Sequence, residues 1–263
     1  DGRMEAKFRE ASQNQLKKWA RLADAKVRRE EGLFIAEGVK VVGELLESGR
    51  PLEALLVMPE KKPHWERAIA SAGDEIPVYR TGLREYKKLS QDKEPEGLLA
   101  VVKKEAPMQL ADFLSQTAGA ILILDSINNP ANLGALARSA SWFGFGGIVI
   151  GSESVDWTNP RAVRASMGSI FHLNIIADVK LAAALPEIKK HLPVIAGDAR
   201  RGEEPRPLSQ RAALLLGSES HGLPEELLAL ADKRWRIPGG GKTESLSLPQ
   251  AGAIMMYEMR REG

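Results

Sequence analysis

The stretch Ala120-Ile-Leu-Ile-Leu-Asp125 restricts this chain more than any other. Five apolar residues in a row leave no polar face, so a strand made from them must be covered on both sides. Strands of that kind belong to parallel sheets, whose crossover helices cover the two faces. Short apolar runs recur downstream at GGIVIG, LPVIAG, AALLLG and RWRIP. Helical spacing runs from Ala131 to Trp142, and the stretch from Gln250 to Arg261 reads as a closing helix. This half predicts a mainly parallel α/β domain. In such sheets ligands bind at the carboxyl ends of the strands.

From Gly32 to Val102 strands and helices alternate. LFIAEG, LEALLVM, IPVYR and GLLAVVKK read as strands; VKVVGELLESG, closed by Gly49, and HWERAIASAG read as helices. The pattern predicts a compact sheet covered by helices. Charge and Pro107 interrupt it between Lys103 and Asp112. The expected division is a first domain over 1–105, a linker over 106–118 and a second domain over 119–263. A chain of 263 residues with 43% hydrophobic content can build two such cores.

Cysteine is absent, which excludes disulfides and thiolate metal sites. His64, His172, His191 and His221 lie too far apart for a zinc helix. No apolar run approaches the roughly 20 residues that span a bilayer. The polar start lacks the apolar core of a signal peptide. These features predict a soluble cytoplasmic protein without a metal.

A net charge of +2 means that nucleic-acid binding must come from local patches. Between residues 16 and 29, Leu16, Ala20, Ala23 and Val27 recur at helical spacing as a buried stripe. Lys17, Arg21 and Arg28 share another face, flanked by Lys18 and Arg29. Such a face can neutralise phosphates, or it can simply be solvated; the residues alone do not decide.

Two glycine-rich stretches fail as nucleotide motifs. GFGGIV has Val149 where a dinucleotide fingerprint needs its third glycine, and it precedes a strand instead of following one. PGGGKTES carries the tail of a phosphate loop, but Arg236 stands where the first glycine is required.

Three segments of the second half do carry a resemblance. LDSINNPANLGALARSASWFG, Leu124 to Gly144, contains Asn129-Pro130, Asn132, Gly134 and Arg138. LLLGSESHGLP contains Gly217, Glu219 and Gly222, and RIPGGGKTESLSLPQAGAIMMYE contains Ile237-Pro238 and Ser245-Leu246. In order and at strand ends, they resemble the three motifs of the SpoU (TrmH-like) RNA methyltransferases. Upstream, WARLADAKVRREEGLFIAEGVKVVGELL is similar to the substrate-binding domain that often precedes this catalytic domain.

The resemblance implies a ribosomal-protein-like α/β/α RNA-binding domain, then an α/β SPOUT domain with a parallel sheet and a deep trefoil knot, in a homodimer. It implies methyl transfer from S-adenosylmethionine to a ribose 2′-hydroxyl of structured RNA, ribosomal or transfer. The methyl donor leaves as a neutral thioether, so no metal is implied. The cofactor residues so implied are Gly197, Leu216, Gly217, Ile237, Ser245 and Leu246. The glycines let a ligand approach the backbone, and Ile237 and Leu246 offer apolar contact. Arg138 is the main catalytic residue by the same resemblance, with Glu219, Asn132 and Ser245 beside it. Arginine does not deprotonate in proteins, so its fitting role is to hold a phosphate and stabilise a developing alkoxide. Glu219 is a base or a structural carboxylate bonded to amides. Asn132 and Ser245 orient substrate or cap a turn. Lys17, Arg21, Arg28 and Arg29 become RNA contacts.

The third motif departs from the family pattern at Ser247, Pro249 and Gln250. That departure keeps a non-catalytic RNA-binding relative in view, alongside a methyltransferase acting on a base.

Overall fold

The computed structural model describes residues 8–242 and 245–261. The polar start before Phe8, and Thr243 and Glu244 of the third motif, lie outside the described residues. The chain forms two compact units. One holds the residues up to Ala106 together with Thr158–Phe171; the other holds Pro107–Trp157 and the residues from His172 onward.

The first unit is built on a five-stranded sheet ordered β1-β4-β3-β5-β2, from β1 (Phe8–Glu10), β2 (Leu33–Glu37), β3 (Leu52–Val57), β4 (Val78–Arg80) and β5 (Leu98–Lys103). β5 runs antiparallel to both β2 and β3, while β3, β4 and β1 are parallel. Side chains alternate across the sheet. Leu33, Ile35, Leu56, Leu99 and Val101 meet helices α1 (Gln13–Ala20), α2 (Ala25–Glu31) and α5 (Leu83–Leu89) through Leu16, Trp19, Val27, Tyr86 and Leu89. Phe34, Leu55, Leu98 and Val102 turn to the opposite face, where α3 (Val39–Ser48) and α4 (Lys62–Ser71) pack. α3 ends at Gly49 in the left-handed conformation, as its sequence predicts.

The helix expected over residues 16–29 is two helices. Asp24 breaks it: its carboxylate accepts the backbone N–H groups of Lys26 and Val27 and caps α2. Those bonds, the Val27 one first, hold the Asp24 carboxyl below its ordinary range. The break resets the helical phase. Trp19 and Leu22 are buried where Ala20 and Ala23 were expected, and Ala23 is exposed.

Arg28 departs furthest from the sequence reading. It is only 2% exposed. Its guanidinium donates to the carbonyls of Leu22 and Ala23 at 3.0 and 2.9 Å and to the Thr158 hydroxyl at 3.2 Å. It therefore does not share the outward basic face of Lys17 and Arg21, because the shifted phase turns it inward. Thr158 begins the segment that joins this unit from the middle of the chain. Arg164 in that segment pairs with Asp92, and Phe171 stacks on Phe34 with ring centroids 6.3 Å apart.

The second unit is an all-parallel six-stranded sheet, ordered β11-β9-β10-β6-β7-β8. The strands are β6 (Ala120–Leu124), β7 (Phe145–Gly151), β8 (Asn174–Val179), β9 (Val194–Gly197), β10 (Ala213–Leu216) and β11 (Lys233–Trp235). Every residue of β6 and β10 is buried, as unbroken apolar runs require. β11 ends at Trp235, so Ile237 and Pro238, expected at its end, begin a loop. One sheet face carries α6 (Leu110–Gln116), α9 (Leu181–Lys189) and α10 (Glu225–Leu230). α7 (Pro130–Trp142) and α11 (Leu248–Arg260) pack on one another; α11 starts two residues before the expected helix. α8 (Pro160–Ala165) belongs to the first unit. Among the described residues no helix is long and apolar enough to cross a membrane.

Removing the Arg28 guanidinium leaves buried carbonyls without donors, which typically costs about 1–3 kcal/mol. Arg28→Met should lower the unfolding free energy of the full chain, read from urea titration, by an amount in that range. The same change at exposed Lys17 should stay within about 0.5 kcal/mol. Equal midpoints, followed by far-UV circular dichroism, would show Arg28 to be dispensable to the fold.

Candidate active site at the carboxyl ends of the parallel strands

The site is set by a pairing between distant strands. β10 lies beside β6 with Leu216 opposite Leu124, and the Asp125 N–H continues the ladder to the Leu216 carbonyl at 2.9 Å. The first and second motif segments therefore leave the sheet side by side. After Asp125 the chain turns through Ser126, a non-glycine residue at φ 54°, a sparsely populated backbone state. Asn129 then caps α7, its side chain accepting from the Ala131 N–H at 2.9 Å, with Pro130 in the first turn.

Glu219 ties the two loops together. Its carboxylate accepts the Asn132 side-chain amide at 3.0 Å and the backbone N–H groups of Asn128 and Asn129, both at 3.3 Å. Burial pushes the carboxyl upward, but hydrogen bonds from its own backbone and from Asn132, Asn128 and Asn129 outweigh it and leave it below its ordinary range. The Glu219 carboxylate is thus engaged as an acceptor by the first motif segment. Asn132 is not a cap; its amide is spent on Glu219. The second loop closes on itself, with Ser218 and Gly222 exchanging backbone bonds at 3.2 and 3.0 Å. A Cβ at Gly217 would stand 2.3 Å from the Gly222 carbonyl carbon. The space that Gly217 frees is filled by this loop, not left open to a ligand.

The third segment joins through α11. Gly252 faces α7 and β10 so closely that a Cβ there would meet Leu136 at 2.6 Å and Leu216 at 3.1 Å. Gly197, at the end of β9 beside Trp235, is packed by Leu216 and Met255. The departures at Ser247, Pro249 and Gln250 are the start of α11: Ser247 is the cap residue, proline is tolerated in the first turn, and the Ser247 hydroxyl donates to Gln250 at 3.0 Å. Ser245 is exposed before the helix, whose cap residue is Ser247.

Arg138 lies on the exposed side of α7, six residues beyond Asn132 and so roughly 9 Å along the axis. It stands apart from the Asn132–Glu219 network. A cleft of about 300 Å³ opens between the loops, lined by residues that include Asp125, Ser126, Asn128, Ser218 and His221. None of these five was among the site residues expected from the sequence. The available signal was Asp125, a carboxylate closing a fully apolar strand. Burial raises its carboxyl, the Ser126 hydroxyl opposes the shift, and Glu153 adds to it. In the first unit, Lys17, Arg21 and Arg29 are exposed, whereas Lys18 pairs with Glu31 at 3.1 Å.

Residues 119–257 match the SpoU rRNA methylase family, over half of the chain, and residues 13–100 match the MRM3-like substrate binding domain. The chain belongs to the SpoU rRNA methylase family. It is an RNA methyltransferase that uses S-adenosylmethionine. A Bacillus subtilis relative, the 23S rRNA (guanosine(2553)-2′-O)-methyltransferase RlmP, is 30% identical over 95% of this chain and 98% of its own. The AdoMet-bound rRNA methyltransferase of Sinorhizobium meliloti superposes with a TM-score of 0.82, is 27% identical and covers 96% of this chain and 97% of that one. AviRb, a SpoU methyltransferase of Streptomyces viridochromogenes solved with AdoMet, shares the fold at a TM-score of 0.80 and 23% identity, over 94% of this chain and 97% of that one.

The chemistry of the strand ends in this SpoU methylase fits an adenosyl group. β10, β9 and β11 are neighbours and bring Leu216-Gly217, Gly197 and the chain entering Ile237 to one edge. Half-buried Ile237, two residues beyond β11, adds apolar surface, and Leu246, 47% exposed, lies two residues before α11. A purine and ribose call for such a mixture of apolar contact and main-chain donors and acceptors.

The clamp makes a direct prediction. Glu219→Ala should speed hydrogen exchange at the Asn128 and Asn129 amides, whereas Glu219→Gln, which keeps one acceptor oxygen, should do so less. The folded carboxyl lies below its ordinary range, so in the wild-type SpoU methylase the clamp is complete at neutral pH. It should weaken only as pH falls through that lowered value. Amide shifts that titrate near neutrality instead would contradict it.

Proposed function

We propose that the protein methylates a ribose 2′-hydroxyl of ribosomal RNA, as a cytoplasmic homodimer with a knotted second unit. The observation that carries this reading is the meeting of the three motif segments at one sheet edge, with Glu219 fixing the loop from which α7 presents Arg138. The near full-length likeness to an enzyme named for 2′-O-methylation of 23S rRNA favours ribose over base and ribosomal over transfer RNA.

S-adenosylmethionine, when bound, supplies an electrophilic methyl group. Gly197, Leu216, Gly217, Ile237, Ser245 and Leu246 would hold it, through main-chain groups and the side chains of Ile237 and Leu246. Arg138 does the electrostatic work on the RNA side. Its planar fork can hold a phosphate and the 2′-oxygen together, stabilising the alkoxide as its proton passes to that phosphate. Glu219 positions: its oxygens are engaged by three neighbouring donors and its carboxyl sits low, so it is a poor proton acceptor near neutrality. Asn132, held by Glu219, sets the angle at which α7 starts.

Two features support the assembly. Trp142 is 83% exposed, and Ile254 and Tyr257 are 40% and 49% exposed, on the paired helices α7 and α11. Phe143 and Tyr257 are in ring contact at 6.0 Å. Large apolar side chains gathered on a surface mark an interface, and a second copy is the occupant proposed. The knot is supported by the chain leaving β11 at one edge of the sheet and returning as α11 onto α7, which follows central β6.

Labelled S-adenosylmethionine incubated with the protein and deproteinised ribosomal RNA should give 2′-O-methylnucleosides after nuclease digestion; a base-methylated product would overturn the assignment. Arg138→Ala should lose a factor of about 100 to 1000 in transfer rate, and Arg138→Lys should recover little of it. Both should bind cofactor normally and sediment as dimers, because a lost dimer would mimic a lost catalytic group. Trp142→Glu should sediment as a monomer; an unchanged dimer would place the interface elsewhere.

A further inference from the structure

The two helix layers of the first unit differ in charge. On one side of the sheet, the stretch from Gln13 to Glu31 together with α5 carries nine cations against four anions. On the other, α3 and the stretch from Pro59 to Ser71 carry four against four. Pairing sharpens the contrast. Lys40 pairs with Glu44, and Lys62 with Glu66, on the neutral layer. Lys17, Arg21, Arg29, Arg84, Lys87 and Lys88 on the basic layer are all exposed, and none has an acidic partner among the described residues.

Three of those six stand on α5, which the sequence reading passed over. Arg84, Lys87 and Lys88 are spaced i, i+3, i+4 and share one helical face. Tyr86 and Leu89, on the opposite face, are buried in the same core as Leu16 and Trp19 of α1. α1 and α5 are therefore neighbours in one layer, both rooted in one core and both basic outward. Helix stability does not explain the arrangement. Lys87 and Lys88 complement the negative end of the α5 dipole, but Arg84 stands in the first turn, where a cation is disfavoured. Like charges three and four residues apart also repel. Such a cost is offset when a polyanion lies on the face.

We propose that α5 is the second half of the RNA-docking face, with Arg84, Lys87 and Lys88 neutralising backbone phosphates beside Lys17 and Arg21 of the α1 side. The inference rests on the RNA methyltransferase reading and adds where and by which charges the substrate is held. The contacts are to phosphate, so they supply affinity and orientation, not sequence choice.

The test uses the full chain and deproteinised ribosomal RNA, with affinity followed across a salt series. The triple variant Arg84→Glu, Lys87→Glu, Lys88→Glu should bind at least about tenfold more weakly near 0.1 M salt. Its slope of log affinity against log salt should flatten by roughly two to three, one unit or a little less per lost contact. The neutral variant Arg84→Gln, Lys87→Gln, Lys88→Gln adds no new charge and should flatten the slope equally. Lys40→Gln, Lys62→Gln, Arg67→Gln on the opposite layer should leave both quantities unchanged. An α5 variant with wild-type affinity and slope overturns the proposal, and so does an equal loss from the opposite layer, which would mean bulk charge alone. Methyl transfer by the wild type to the same RNA separates the two readings. Normal transfer with an indifferent α5 overturns the docking face only; no transfer overturns the activity while the salt slopes still report on α5.

Discussion

The parallel pairing of β6 with β10 is the constraint on which the site depends. Its partners are about ninety residues apart in sequence, and each is buried along its whole length. Neither strand presents a polar side chain within the sheet, so the polar residues of the first two motif segments lie beyond their carboxyl ends. The ladder bond from Asp125 to Leu216 fixes the relative height of those loops. Only at that height can Glu219 reach Asn128, Asn129 and Asn132 together. The polar clamp is thus a consequence of an apolar register: slipping a strand by one residue would reverse its faces and separate the loops.

The same logic separates structural from chemical roles. A carboxylate engaged by three donors has little left to offer a substrate proton, and its lowered acidity range records that engagement. Asp125 is the opposite case, raised by burial beside the cleft. The two acids sit on adjacent loops, and their environments push them in opposite directions. Arg138 belongs to neither network. Its exposure on α7 is what the role proposed for it on the RNA side requires, since a guanidinium already paired within the protein would have to break that pairing first.

Strands buried on both faces were legible because nothing but apolar residues can occupy them. β6, β7, β9 and β10 all lie where their apolar runs fall. Turn glycines such as Gly49 were legible for an equally local reason. Features that depend on a distant partner were not. Arg28 looked like one more surface cation because Thr158, its buried partner, lies 130 residues away. Asp24 read as part of a helix because its capping bonds to Lys26 and Val27, rather than its polarity, mark it as the start of α2. α5 has only two buried residues in a seven-residue helix, Tyr86 and Leu89, too few to register as a periodic pattern. At the site, the motif residues were legible as a set. That Gly217 and Gly197 serve protein packing was not, since a glycine in sequence does not say which neighbour occupies its empty side.

The segment Thr158–Phe171 bears on how the first unit can be complete. Its contribution is not peripheral: Phe171 stacks on Phe34 of β2, Thr158 accepts from the Arg28 guanidinium, and Arg164 pairs with Asp92. Nearby, Glu37 is buried and held by the Ser90 hydroxyl and the Gln91 amide. Burial raises its carboxyl most, and the Ser90 bond, the Gln91 bond and the Arg164 charge work against that shift. A chain ending near Ala106 would therefore have the sheet, the helices and the basic face, but would lack the donor that Asp92 pairs with and the ring that covers Phe34. Losing the Phe171 ring would turn buried Phe34 surface to water, whereas losing Arg164 would remove a solvent-accessible ion pair of smaller worth. The RNA-docking layer and the stretch within the methylase match are in this way parts of one packed unit. The boundary between substrate binding and catalysis drawn along the sequence is not the boundary drawn by packing.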